Sequence, residues 1–361
     1  MFSHRHSNLL KSSPFLNKFR AGTYCRKPAS TKNELQRAHL RLFIDFDSTI
    51  TKEDTCTRIP KLLEEPIDGS SLKEVNQSRM NQISEWNRVS NQFMERYYAL
   101  MTHFKESKQG FESVSQFLDA MDDVEMFGVR SVEEGRILRN LTRIELRNLI
   151  RKFNAELAPN CHNFFKMLSN KTDQNLAIQL CILSSNWSFD VIESFLKERV
   201  GPIVNNSLNI IKLDRLGHEE VNQEAVRNEK WSLETSHFPN VYIYSNDLRF
   251  GTDGTFSDGT FASKQCVTSM DKLLALRHHL FLTRDTSRSL YIGDSINDLR
   301  CIMETSGVLL VNDESPTRQV CEKFGIKMHN LQERTMLDYG HNLIHVAQDW
   351  SDITKTVENL L

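Results

Sequence analysis

The 361-residue chain is short of the residues that mark special classes. Gly (14) and Pro (8) are sparse, which excludes collagen-like and low-complexity architectures. No apolar run approaches the roughly 18 residues that cross a bilayer. Leu176–Leu183, one of the longest, is already interrupted by Gln179, so no membrane insertion is expected. Neither sign of charge is in excess, with 45 Lys+Arg against 47 Asp+Glu, which argues against a general nucleic-acid binder. The seven cysteines lie at 25, 56, 161, 181, 266, 301 and 321, and no two have C-x-x-C spacing. Zinc-knuckle and dithiol redox chemistry are therefore not indicated. Reduced thiols filling the core suit the cytosol or the mitochondrial matrix.

One local absence changes this picture. Residues 1–33 contain no acid, yet carry Arg5, Lys11, Lys18, Arg20, Arg26, Lys27 and Lys32, together with five Ser. A basic, Ser-bearing, acid-free leader predicts a mitochondrial transit peptide, the alternative being a disordered basic arm. Without it the remainder holds 38 bases and 47 acids, close to −9.

Short apolar runs alternate with helical patterns through most of the chain. Residues 41–46, 176–183, 241–244, 290–292 and 307–311 read as strands, with helices following several of them. The pattern predicts a doubly wound α/β core whose parallel sheet is covered on both faces. Residues 60–155 depart from it. Trp86, Val89, Phe93, Tyr97 and Leu100 recur at helical spacing, as do Val114, Phe117, Leu118 and Met121. This stretch predicts an inserted all-helical cap. The expected organisation is a core of 38–58 and 157–330, a cap of 59–156, a surface loop over 215–238 within a charged insertion of 206–238, and a helical C-terminal extension over 331–361.

Ligands of such sheets bind beyond the carboxyl ends of the strands. Three of those ends are chemically loaded, namely Asp45-Phe46-Asp47-Ser48-Thr49, Ser184-Ser185-Asn186 and Gly293-Asp294-Ser295-Ile296-Asn297-Asp298. Asp45 and Asp47 fall on one face of an extended strand, so they need a cation or a shared proton. The alternative is an acidic turn. Asp294 and Asp298 would add negative charge at the same edge, and all-oxygen ligands favour a hard cation such as Mg²⁺. Here the alternative is helix capping by Asp294 and Ser295. Ser184 at a strand–helix junction reads as an anion site or an ordinary cap. Lys264, taken alone, reads as a surface lysine.

Taken in order, these motifs resemble the haloacid dehalogenase (HAD) superfamily of phosphohydrolases over residues 40–312. The resemblance implies that Asp45 is a nucleophile forming an aspartyl-phosphate and that Asp47 is the general acid and base. It further implies phosphate contacts from Thr49, Ser184 and Ser185, and a screening lysine at Lys264. Mg²⁺ would be held by Asp45, Asp47 (through its carbonyl) and Asp294, with Asp298 and Asn297 in support. The implied substrate is a small phosphate monoester. Within the superfamily, Asp45–Asp54, Trp86, Leu183–Trp187 and Tyr291–Ser295 are similar to the phosphatase domain of plant bifunctional thiamine-salvage proteins and to the fungal cold tolerance protein 1 group. That likeness implies a thiamine monophosphate-like substrate, with Asp54 facing a cationic group; otherwise Asp54 caps a helix. A non-catalytic scaffold of the same fold and a phosphotransferase are the rival readings.

Overall fold

A computed structural model describes residues 39–66, 73–106, 111–172, 177–213, 238–252, 254–283, 288–333 and 343–361. The basic leader and residues 214–237 of the charged stretch lie outside them.

The strand β1 (His39–Ile44) holds the centre of an eight-stranded sheet. Its partners are β2 (Ala177–Leu183) on one side and β7 (Arg288–Gly293) on the other, both parallel. Beyond β2 come β4 (Val241–Tyr244) and β3 (Ile210–Lys212). Beyond β7 come β8 (Val308–Leu310), β10 (Leu343–Ala347) and β9 (Lys327–Asn330), giving the order β3-β4-β2-β1-β7-β8-β10-β9. Every pairing in this sheet is parallel. After β1 the chain builds one side of the sheet and then returns to build the other. The carboxyl end of β1 is therefore the topological switch point.

The central strands bury both faces. Leu42, Ile44, Leu180, Ile182, Leu290 and Ile292 belong to one apolar layer, whereas Phe43, Cys181 and Tyr291 belong to the opposite one. This is why Leu-Phe-Ile in β1 reads as an uninterrupted apolar run instead of an alternating one.

The inserted helices are α1 (Lys73–Glu106), α2 (Val114–Glu134) and α3 (Arg143–Lys152). α1 and α2 pack against each other, as the apolar spacings predict. α3 differs from expectation, because Arg143 and Arg147 both pair with the buried Asp190 of α5 (Phe189–Phe195). α3 thus packs on the core as well as following the cap. The remaining helices are α4 (Cys161–Thr172), α6 (Ser269–Thr283), α7 (Leu299–Thr305), α8 (Pro316–Lys323) and α9 (Trp350–Leu360). A hairpin of β5 (Asp247–Phe250) and β6 (Ser257–Ser263) stands apart from the sheet, as its glycines predict.

The C-terminus corrects the sequence expectation. Residues 331–361 are not simply a helical extension, since β10 inserts between β8 and β9. Leu-Ile-His-Val-Ala is a short apolar run of strand type that helical spacing around it obscures. Trp350 at the start of α9 is buried and donates Nε1–H to the carbonyl of Thr49 at 2.8 Å, so the chain's end braces the loop after β1.

Arg79 of α1 is the cap's main internal tie. Its guanidinium, 1% exposed, reaches the carbonyls of Leu62, Glu65 and Asn140 and the carboxylate of Glu145. Removing it leaves those carbonyls without this donor and takes the cation from Glu145, to which, among the described residues, Thr142 alone would still donate. Arg79→Ala is expected to destabilise the protein by about 3 kcal/mol or more in denaturant titration. A loss of only a few tenths would show that the tie is dispensable.

Candidate active site

The site forms where β1 and β7 end side by side. Asp45 N–H donates to the carbonyl of Ile292 at 2.9 Å, carrying the ladder one residue past β1. This sets Asp45 next to Asp294, the first residue after β7. Asp45, Asp294 and Asp298 offer carboxylate oxygens that all lie within 4.8 Å of one another.

A lysine relieves part of that crowding, and it is not the one expected. Lys264 is 38% exposed and pairs with Glu133 of α2 at 2.7 Å, away from the carboxylates. Lys272 of α6, 1% exposed, lies 2.8 Å from both Asp45 Oδ1 and Asp298 Oδ1. The expected role of Lys264 therefore passes to Lys272. Burial alone would push the Lys272 ammonium down, but the charges of Asp298 and Asp45 outweigh it and hold it well above the usual lysine range. Sequence signals for this residue existed. Thr268 and Asp271 cap each other and start the helix, which puts Lys272 in its first turn, where a cation opposes the helix dipole. Lys272 also shares a buried stripe with Ser269, Leu276 and His279.

Asp298 is wholly buried and saturated. Its Oδ1 accepts from Lys272 and from Tyr291 Oη, and its Oδ2 accepts from the Ser295 hydroxyl and the N–H groups of Asp294 and Ser295. Five donors use up what a carboxylate offers. Asp298 is therefore an orienting group, and the expected metal set narrows to Asp45, Asp294 and the carbonyl of Asp47. Gly293 makes this packing possible, since a Cβ there would stand 2.5 Å from Asp298 Cγ.

Thr49 also differs from expectation. Its hydroxyl donates to Asp294 Oδ1 at 2.7 Å, so it positions that carboxylate. A turn through Ser48 in the left-handed region (φ 58°) precedes it. Ser184 is wholly buried and its Oγ accepts the N–H of Asn186, as a cap does, whereas Ser185 lines the cavity described below. Asp47 is fixed by Asn186 of the second motif and by Thr55, which the motifs did not single out. Thr55 donates to Oδ1 through N–H (2.7 Å) and hydroxyl (2.6 Å), and Asn186 Nδ2 donates to Oδ2 at 2.8 Å.

Charge and burial set the titration. Three carboxylates face one ammonium, so negative charge is in excess away from water. Burial, then the charge of Asp298, push Asp45 well above the carboxylate range and Asp294 up to about 7. Lys272 outweighs burial at Asp298 and lowers it. An oxygen-donor set carrying uncompensated negative charge fits a hard dication of the Mg²⁺ kind. Asp47 is raised to about 6 by burial and then by the charge of Asp54.

A cavity of about 340 Å³ opens above these groups, between the core and the inserted helices. Trp86 and Phe93 of α1, Val129 and Val132 of α2 and Trp187 of the core give it apolar walls. Trp86 and Trp187 meet edge to face, ring centroids 5.8 Å apart. Gly128 keeps α2 close to α1, because a Cβ there would come within 3.0 Å of the Phe93 ring. Asp54 lines the cavity, and its Oδ1 accepts the Thr57 N–H as a cap does. Glu125 of α2, which sequence reasoning missed, lines it too, and burial raises its carboxyl to about 7.

The motif order, the sheet and this geometry converge. The chain resembles the HAD phosphatases. Among curated proteins it is similar to the bifunctional TH2 protein, mitochondrial, of Arabidopsis thaliana, 22% identical over 303 residues that make up 80% of this chain. The chain spans only 42% of that relative's length. No protein-family model matches. Solved structures similar to it include cytosolic 5′-nucleotidase IIIB bound to cytidine (TM-score 0.48, 14% identity, covering 89% of this chain and 84% of that one). Another is a phospho-aspartyl intermediate analogue of phosphoserine phosphatase (TM-score 0.44, 11% identity, covering 89% and 99%).

Two stability measurements check this account of the HAD-like site. In Lys272→Met, Asp45 and Asp298 are left buried and unpaired, which is expected to cost about 3–5 kcal/mol at neutral pH. The loss should shrink as pH falls and the carboxylates take up protons, and a loss that is equal at pH 4 and pH 8 would contradict it. Glu125→Gln is expected to stabilise. With a folded-state value near 7 above the unfolded 4.5, ionised Glu125 costs stability progressively as pH rises through that interval. The gain should be absent at pH 4 and full above pH 7 in thermal melts.

Proposed function

We propose that the chain is a Mg²⁺-dependent phosphatase that hydrolyses small phosphate monoesters through an aspartyl-phosphate on Asp45. The observation that carries this is the buried Asp45–Lys272–Asp298 ion triad beside Asp294, with Asp47, held near pKa 6, next to it. Asp45 attacks phosphorus and the bond to the leaving oxygen breaks. Asp47 gives that oxygen a proton. Water then attacks the phosphoryl group, Asp47 takes its proton, and the bond to Asp45 breaks to release phosphate. A value near 6 suits a group that must act both as acid and as base near neutrality. Thr55 and Asn186 keep Asp47 in one rotamer for both steps. Lys272 and Asp298 hold Asp45 aligned for attack, and Thr49 holds Asp294. Asp45, Asp294 and the Asp47 carbonyl would hold Mg²⁺, which would neutralise charge on the phosphoryl oxygens. Ser185 and the backbone around it are the phosphate-facing groups of the second motif.

A thiamine monophosphate-like ester is the substrate we favour. The likeness of the motifs to the thiamine-salvage phosphatase domain supports it. So do the aromatic walls around Trp86 and Trp187 and the position of Asp54 on the cavity. The basic, acid-free leader and the mitochondrial designation of the plant relative support a mitochondrial location. A terminal fluorescent fusion that stays cytosolic would overturn that last point.

The purified full chain with Mg²⁺ should hydrolyse an aryl phosphate, and chelation should abolish the activity reversibly. Asp45→Asn is expected to lose at least about a thousandfold in kcat. Asp47→Asn should lose about a hundredfold or more on alkyl phosphates, and much less on nitrophenyl phosphate, whose leaving oxygen needs no proton. Equal activity of the wild type and Asp45→Asn would sink the mechanism.

A further inference from the structure

We infer that Asp122 and Arg300 are positioning residues for the reaction, through which the inserted helix α2 sets the alignment of Asp45. The inference rests on the phosphatase reading above and deepens it, because it adds a control of the same site from outside the core.

The need arises at the start of α6. The first four N–H groups of a helix have no partner within it. Here those of Asp271 and Lys272 go to the hydroxyl and the carbonyl of Thr268, at 3.1 and 3.0 Å. Those of Ser269 and Met270 go to a distant part of the chain. Asp122 of α2 accepts the Ser269 N–H at 2.8 Å and the Met270 N–H at 3.4 Å. An inserted helix thus supplies half the cap of a core helix. This cap has more to offset than most. Lys272 sits in the same first turn and adds its ammonium to the positive end of the helix dipole, so the turn needs anions beside it.

Arg300 joins the other half of the ion triad to the same place. It stands two residues after Asp298, at the start of α7. Its Nε donates to the Ser269 hydroxyl at 2.8 Å, and that hydroxyl donates to Asp122 at 2.8 Å. The guanidinium also reaches the carboxylate of Asp119 and the hydroxyl and carbonyl of Ser115, and lies 3.9 Å from Asp122. Ser115, Asp119 and Asp122 share one face of α2. Ser269 and Arg300 are buried, so little water competes for these bonds. α2 therefore grips the starts of both helices that flank Lys272 and Asp298, the pair that holds Asp45. Its next turns carry Glu125, Gly128, Val129 and Val132, which line the cavity. One helix thus touches both the space for the leaving group and the support of the nucleophile. Substrate contacts that seat α2 are then expressed in the rate of attack and not in affinity alone.

The test follows 4-nitrophenyl phosphate turnover by the full-length protein with Mg²⁺. The single-turnover rate of nitrophenol release reports attack by Asp45. Asp122→Ala is expected to slow it about tenfold, the size of a lost helix cap, while KM changes by less than about twofold. Asp122→Asn, whose amide oxygen can still accept from Ser269, should recover most of the rate. Arg79→Ala is the destabilised control and should keep the wild-type rate below its melting temperature. Should Asp122→Ala not fold, Ser269→Ala removes only the hydroxyl between Asp122 and Arg300, with an expected loss of about threefold. An unchanged rate in Asp122→Ala, no recovery in Asp122→Asn, or an equal loss in Arg79→Ala overturns this inference and leaves the phosphatase reading intact. Hydrogen exchange of the 269–272 amides gives a readout that needs no activity. It should quicken about tenfold in Asp122→Ala and stay at the wild-type rate in Arg79→Ala. If the wild type hydrolyses no phosphate ester, the phosphatase reading fails and exchange alone decides. Quickened exchange upholds the grip of α2 on the helix of Lys272, and unchanged exchange overturns that as well.

Discussion

Everything at the site depends on the crowding of negative charge where β1 and β7 end. A parallel pair brings the residues after both strands to one edge, so Asp45 and Asp294 meet whether or not their charges agree. Burial makes the disagreement expensive, because water no longer screens it. The fold meets the expense in two ways. Lys272 is buried between Asp45 and Asp298, and burial raises the pKa of Asp45 and Asp294 so that part of the remaining charge can be met by protons. The surrounding detail serves this balance. Gly293 admits Asp298, Tyr291 and Ser295 saturate it, Thr49 steadies Asp294, and Trp350 from the far end of the chain steadies the loop that carries Thr49.

The inserted helices extend the same logic outward. α2 faces the core with acids, and each has a defined partner. Glu133 takes Lys264 and the Phe261 N–H, while Asp122 takes Ser269 and lies near Arg300, which also reaches Asp119. Glu125 alone among these turns to the cavity, bonded to Asn297 of the catalytic edge. The helix over the site is thus tied to the core by ion pairs, and Glu125 sits on the cavity wall between those ties. Keeping a buried acid near pKa 7 where an amide would be more stable is the kind of local cost that functional sites carry.

Much of the site was legible because strand ends announce themselves. An apolar run that stops at Asp-Phe-Asp or Gly-Asp-Ser marks the strand and puts acids at its tip, and Asp45, Asp47 and Asp294 lie where that pattern places them. The roles of Thr49, Ser184 and Asp298 were harder to read. Their types suit a phosphate or a metal, but their hydrogen bonds go to Asp294, to the Asn186 N–H and to Lys272. Spacing along a chain does not say which lone pairs are already used. Lys264 misled because a lysine after a glycine-rich hairpin looks exposed and available. It is half-exposed, and its partner is Glu133.

What the amino-acid sequence determined by itself was periodic or local: the parallel sheet, the helical insertion after β1, the hairpin, and the acids at the strand tips. These follow from burial patterns and turn chemistry within a few residues. Tertiary structure decided the rest. It chose Lys272 over Lys264, moved β10 into the sheet ahead of the last helix, and brought Glu125 of α2 to the cavity wall beside Asn297. Each of those choices is a contact between residues far apart in sequence, settled by which groups can share a buried space without leaving charge or hydrogen bonds unmet.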